Sequence, residues 1–210
     1  MNQLSLLDYI LIVLSVVFSW GLQHRAHPPP TDGEGEVTPQ PALAASRDAK
    51  QVEPEPSEPQ TPLGRTLQRI CTACGYDGIA MFTDGARQAY ETVVQAFASG
   101  NIAAQAYLLA EPVRQVFAQA IAASAQRGET TELTFIGFRS FEITDAQLDG
   151  AYAAITVKIE ADMVSVTRDN AGQVVAGDPG LVVGRSEVWT FERELRATGP
   201  GWLLVATAPA

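Results

Sequence analysis

Residues Ala151–Val166, AYAAITVKIEADMVSV, decide the fold. Ile155, Val157, Ile159, Ala161 and Met163 fall on one parity. Thr156, Lys158, Glu160 and Asp162 fall on the other. Side chains of a strand point alternately to its two faces, so this segment has one apolar face and one wet face. That pattern predicts an antiparallel sheet covered on a single side.

Strand signals continue on both sides of this stretch. Leu133 to Ile143 reads as the preceding strand. Asp169-Asn170-Ala171-Gly172 reads as a hairpin turn and Gly177-Asp178-Pro179-Gly180 as a second turn. Leu181 to Leu195 reads as a strand with Trp189, Phe191 and Leu195 on one face and Glu192 and Glu194 on the other. Gly201 to Ala208 is the last strand. Before Gly128 the apolar period is that of helices. Leu63 to Cys74 carries Leu67 and Ile70 on one face, and Gly75 stops it. Thr83 or Asp84 is expected to cap a helix from Gly85 to Ser99, striped by Ala86, Tyr90, Val93 and Phe97, with Phe82 stapling its start. A short helix is expected around Ala103 to Leu109. Glu111-Pro112 then opens a helix striped by Val113, Val116, Phe117, Ala120 and Ile121. Helices first and long antiparallel strands after them give an α+β domain.

The chain ahead of this domain differs in kind. Leu4 to Leu22, LSLLDYILIVLSVVFSWGL, is nearly all apolar. Nineteen helical residues rise roughly 28 Å, close to a hydrocarbon thickness of about 30 Å. Residues 1–25 are therefore expected to be a retained transmembrane anchor, since no Lys or Arg stands in front of the run as in a signal peptide. Arg25 on the far side favours a cytoplasmic domain at a bacterial inner membrane. Residues 26–62 hold 9 of the 13 prolines with repeated Glu-Pro, and read as a disordered linker; residues 63–210 form the domain.

The net charge of -10 and the lack of a basic stripe argue against nucleic acid as a partner. The only histidines, His24 and His27, lie before the domain, so it has no His-dependent triad or zinc site, and no cofactor motif is present. Cys71 and Cys74 have thioredoxin-like spacing without a βαβ context, leaving inert thiols, a thiol pair or two metal ligands as readings. Tyr90, Phe97, Phe117, Ile121, Trp189 and Phe191 either fill the core or line a hydrophobic or peptide-binding pocket. Arg87 and Glu91 are spaced for an i,i+4 pair; Arg168, Asp169 and Asp178 are expected to fix turns.

A family resemblance adds to this. FTDGARQAYE at Phe82–Glu91, AFASG at Ala96–Gly100, Thr167-Arg168-Asp169, Gly177-Asp178-Pro179, EVWTFER at Glu187–Arg193 and WLLVAT at Trp202–Thr207 together resemble the Tim forty-four-like domain over about residues 75 to 208. The resemblance implies a nuclear-transport-factor-like (NTF2-like) cone, its helices packed on a curved antiparallel sheet around a hydrophobic pocket. Mitochondrial members tether a heat-shock motor to the import channel and touch anionic lipid. Bacterial relatives carry an N-terminal membrane helix and a variable linker. This chain departs from the mitochondrial pattern where a Pro/Glu linker replaces the motor-binding region, and at the turn Thr198-Gly199-Pro200-Gly201.

Together these readings predict a membrane-anchored, non-catalytic protein-binding adaptor that assists protein translocation or membrane-protein assembly. Its expected partners are translocase, chaperone or client proteins, with the membrane reached through residues 4–22 and a homodimer through the sheet. Two alternatives stand beside it: a hydrophobic-ligand or lipid-binding module, and an enzyme of the NTF2-like fold with an Asp/Tyr site.

Overall fold

The computed structural model describes residues 61–197 and 201–210. Helix α1, Pro62–Cys74, starts where Thr61 Oγ1 accepts from Gly64 N at 3.0 Å, with Pro62 in the first turn. Gly75, φ 68°, ends it. Helix α2, Ala80–Ala98, begins earlier than the cap reading at Thr83 or Asp84. Thr83 lies inside the helix, its hydroxyl donating to Ile79 O at 3.2 Å. Packing explains the early start: Phe82 is buried in the first turn, edge-on to Phe191 (5.8 Å between centroids) and Trp202 (4.9 Å). A 3-10 segment, Ile102–Leu108, leads to α3, Glu111–Gln126, which buries Val113, Phe117 and Ala120.

Five strands follow: β1 (Thr130–Asp149), β2 (Tyr152–Arg168), β3 (Val174–Gly177), β4 (Val183–Glu194) and β5 (Leu203–Pro209). All pairings are antiparallel, in the order β1-β2-β4-β5, with β3 pairing the end of β2. The sequence reading lacks β3. Its four residues lie between two turns, and Gly177 is its last residue rather than a turn opener. There φ is 78°, and a Cβ would stand 2.0 Å from Ser165 O, so only glycine lets β3 approach β2.

The strand β1 has 20 residues and pairs with the 17 of β2. Register shifts between Phe135 and Gly137, Phe138 and Ser140, and Ile143 and Asp145 absorb the difference. Each shift changes the parity that faces the helices. Phe135, Phe138 and Phe141 therefore all reach the core side at a spacing of three.

The core lies between α2 and one face of the sheet. Ile155, Val157, Ile159 and Ala161 are fully buried there with Trp189, Phe191 and Leu204. Each Ile or Val so placed contributes about 1.5–3 kcal/mol relative to exposure. On the opposite face Arg139 grips Asp162 (Nε to Oδ2, 2.8 Å; Nη2 to Oδ1, 2.7 Å), and Lys158 lies 3.4 Å from Glu160.

Two parts of the expected architecture are corrected. The sheet is open, because β1 and β5 end the strand order without pairing to each other, so no closed, cone-like barrel forms. A partial cover at β5 comes from Leu109 and Ala110, the latter donating to Leu204 O at 3.0 Å. A transmembrane helix leading into the domain is not found either. Among the described residues no helix is long and apolar enough to cross a membrane; the stretch 1–25 lies outside them, as do residues 26–60 of the linker expected over 26–62, whose Pro62 instead opens α1.

Candidate functional site

Strand alternation places Arg185, Glu187, Trp189 and Phe191 on the helix-facing side of β4. Glu187 is the exception in this apolar row, a carboxyl only 8 % exposed. Trp189 Nε1 donates to Glu187 Oε2 at 2.9 Å. Across the layer, α2 supplies Tyr90, fully buried. Its ring lies 4.7 Å from Trp189, 5.5 Å from Phe138 and 6.1 Å from Phe135.

The Thr207 hydroxyl, on the cross-strand neighbour of Trp189, has no hydrogen-bond partner among the described residues. The Tyr90 hydroxyl is directed at the Glu187 carboxyl, and each influences the other's titration. Burial pushes the Glu187 carboxyl up from its ordinary range, against the Trp189 bond, the Arg185 charge and the Tyr90 hydroxyl. Burial also pushes the Tyr90 phenol up, as does the nearby Glu187 charge. A buried hydroxyl left without a partner costs about 1–3 kcal/mol.

The six residues singled out from the sequence separate into two groups. Tyr90, Trp189 and Phe191 pack over the sheet, with Trp189 and Phe191 6.1 Å apart. Phe97 and Phe117 pack at 5.2 Å near the C-terminal end of α2. There Phe97 and half-buried Ile121 line an open cleft of about 320 Å³ with Ser124, Glu129 and Thr130. A second cleft of about 610 Å³, more polar, shares Ala98, Ser99 and Thr131 with it. Phe97 follows Tyr90 by seven residues on one helix, about 10 Å along the axis. Tyr90, Glu187 and Trp189 line neither cleft.

Other expectations resolve locally. Arg87 does not pair with Glu91; its guanidinium lies over Phe141 (5.2 Å) and Phe138 (5.8 Å), while Glu91 accepts from Gln95 at 3.1 Å. Cys71 and Cys74 are both free, and burial raises both thiols, which disfavours the reactive thiolate. Asp169 Oδ1 accepts from Ala171 N and Gln173 N, both at 2.9 Å, and Asp178 Oδ1 accepts from Gly180 N at 2.8 Å, so these acids shape turns. Arg168 donates to Gly172 O at 3.2 Å in the same hairpin. Glu187 escaped the sequence reading of the site. Its parity with Trp189 and Phe191 was the available signal.

The family model described as Tim44-like domain matches residues 79–209. The chain belongs to the Tim44-like domain family. As a class, Tim44-like domains are associated with protein–protein interactions at membranes. Among solved structures, the chain is similar to the intermembrane space region of the chloroplast protein ARC6. Identity is 14 %, TM-score 0.41, and the match covers 60 % of this chain and 95 % of that one. It is also similar to a candidate dehydratase of the NTF2-like family from Streptomyces avermitilis, with 15 % identity, TM-score 0.33, and coverage of 62 % and 96 %. No curated protein matches the chain.

These findings correct the functional expectation. The reading as a membrane-anchored adaptor for translocation, placed at an inner membrane with its domain in the cytoplasm, required a spanning helix. Among the described residues none is long and apolar enough. What the Tim44-like domain itself offers is an open cleft beside Phe97 and Ile121.

Proposed function

We propose that this Tim44-like domain is a non-catalytic binding module for a small, largely apolar ligand. The ligand would sit in the cleft at Phe97 and Ile121, where the ends of α2 and α3 meet the start of β1. Phe97, Ile121, Ser124, Glu129 and Thr130 would line it, while Phe117, Tyr90, Trp189 and Phe191 fill the core behind. The observation that carries this reading is the open cleft beside Phe97 and Ile121. A site that orients apolar ligands needs a few polar groups in an apolar lining, and Ser124, Glu129 and Thr130 supply them. The cleft's volume of about 320 Å³ is that of a small ligand pocket.

The test is a titration of the full chain with 2-ethylnaphthalene, followed by the NMR signal of the Thr130 backbone N–H at the edge of the cleft. Saturable movement of that signal is expected. Ile121→Trp, which fills the mouth, should abolish it. A signal that stays still at the probe's solubility limit, or a variant that binds as well as the parent, would defeat the reading.

A further inference from the structure

We propose that the ligand is an amphiphile with a neutral, hydroxyl-rich head group. The head lies in the larger cleft while the apolar part occupies the one at Phe97 and Ile121. This deepens the ligand-binding reading and rests on it. The two clefts form one trough, because Ala98, Ser99 and Thr131 line both. Their linings differ. The larger cleft follows Thr92 and Gln95 of α2 and Ser99 just past its end, three and four residues apart on one helix face, for about 10 Å. Asn101 and Gln105 of the 3-10 segment and Glu132 of β1 complete its polar side. The side chains of Thr92, Asn101 and Gln105 make no hydrogen bond among the described residues, so their donors and acceptors are open to a ligand. Gln95 gives one N–H to Glu91 and keeps its carbonyl oxygen and a second N–H.

The chemistry of this lining selects the head group. A carboxamide offers donors and an acceptor side by side, and a hydroxyl both donates and accepts through one atom. Amides and hydroxyls therefore match a polyol. No Lys, Arg or His lines either cleft. Two carboxylates do, Glu129 in the smaller and Glu132 in the larger. An anionic head meets like charge with no cation in the lining to neutralise it. An ammonium head has only Glu132 to pair with, since Glu129 is already held by Arg127 at 2.7 Å. Glu132 is exposed, where an ion pair contributes little. A neutral polyol meets neither obstacle.

The experiment titrates the full chain with octyl β-D-glucopyranoside below its micelle-forming concentration. Two NMR signals are followed: the Thr130 backbone N–H at the apolar cleft and the Gln105 side-chain amide at the polar one. Both should move saturably with one midpoint. Sodium octanoate and octylammonium chloride carry the same alkyl chain, and methyl β-D-glucopyranoside carries the head alone. Each should bind about tenfold more weakly, the loss expected for about one good hydrogen bond or more. Asn101→Ala combined with Gln105→Ala removes two open amides. Read at Thr130, this variant should bind octyl glucoside about fivefold more weakly and 2-ethylnaphthalene as the parent does. A Gln105 signal that stays still, tighter binding of either ion, equal binding of methyl glucoside, or a double variant that binds octyl glucoside like the parent overturns the inference. If 2-ethylnaphthalene binds in those cases, the ligand-binding reading stands alone. If neither it nor octyl glucoside binds, both fall.

Discussion

Replacing Glu187 by Gln isolates the one buried acid among the described residues. Burial raises its carboxyl above the ordinary value of 4.5, so the folded chain holds this proton more tightly than the unfolded chain does. The sign follows from that. The contribution of Glu187 to stability is fully present below the unfolded carboxyl's value and is lost as pH rises through the raised folded value. One group and one proton set a ceiling of about 1.4 kcal/mol per pH unit in that window. For a domain of this size that is about 3 to 6 °C of Tm per unit. The Trp189 bond, Arg185 and Tyr90 all pull the carboxyl back down and narrow the window. Glutamine keeps an oxygen that can accept the Trp189 N–H but cannot ionise. Urea unfolding of parent and Glu187→Gln at pH 5, 6, 7 and 8 should show the parent losing stability relative to the variant as pH rises. Glu129, lowered chiefly by its hydrogen bonds from Arg127, acts with the opposite sign and below this range, its contribution disappearing as pH falls through the lowered value. Parallel stability curves for parent and variant would refute the argument that Glu187 titrates within a desolvated core.

Three further outcomes are expected. Phe97→Ala should lose about 3–5 kcal/mol in urea unfolding, because its ring is 1 % exposed and packs on Phe117. Gly172→Ala and Gly177→Ala share a positive φ, costing about 1–2 kcal/mol each, but only the second drives a Cβ into Ser165 O; thermal melts should rank Gly177→Ala clearly below Gly172→Ala. Cys71 should react with a thiol-specific disulfide reagent at pH 7 far more slowly in the native chain than in urea, since it is buried and its thiol is raised.

The sequence made much of the fold legible where one physical signal ruled. The alternation through Ile155 to Met163 marks residues that are all at most 1 % exposed. Gly75 and Gly128 mark helix ends because both carry positive φ. The start of α2 was not legible, because Thr83 and Asp84 have the chemistry of caps and only the tertiary contacts of Phe82 keep the preceding turn helical. Period-two reasoning fails in β1, where register shifts put Phe135, Phe138 and Phe141 on one side. In the site, the aromatic residues stood out by size, but their separation into two groups depends on which helix turn meets which strand. Glu187 was visible only to a parity count along β4, and that Tyr90 is its neighbour could come only from the packing of α2 on the sheet.

The three register shifts of β1 also bear on which changes in length this domain can tolerate. Ile136, Arg139 and Thr144 are the residues of β1 that have no opposite number on β2, and all three are exposed. Removing any one of them would shorten the strand while leaving every other residue on its own side of the sheet. A deletion at Thr134 or Glu142 would instead turn the adjoining stretch inside out. Natural variation in the length of this strand should therefore collect at those three points.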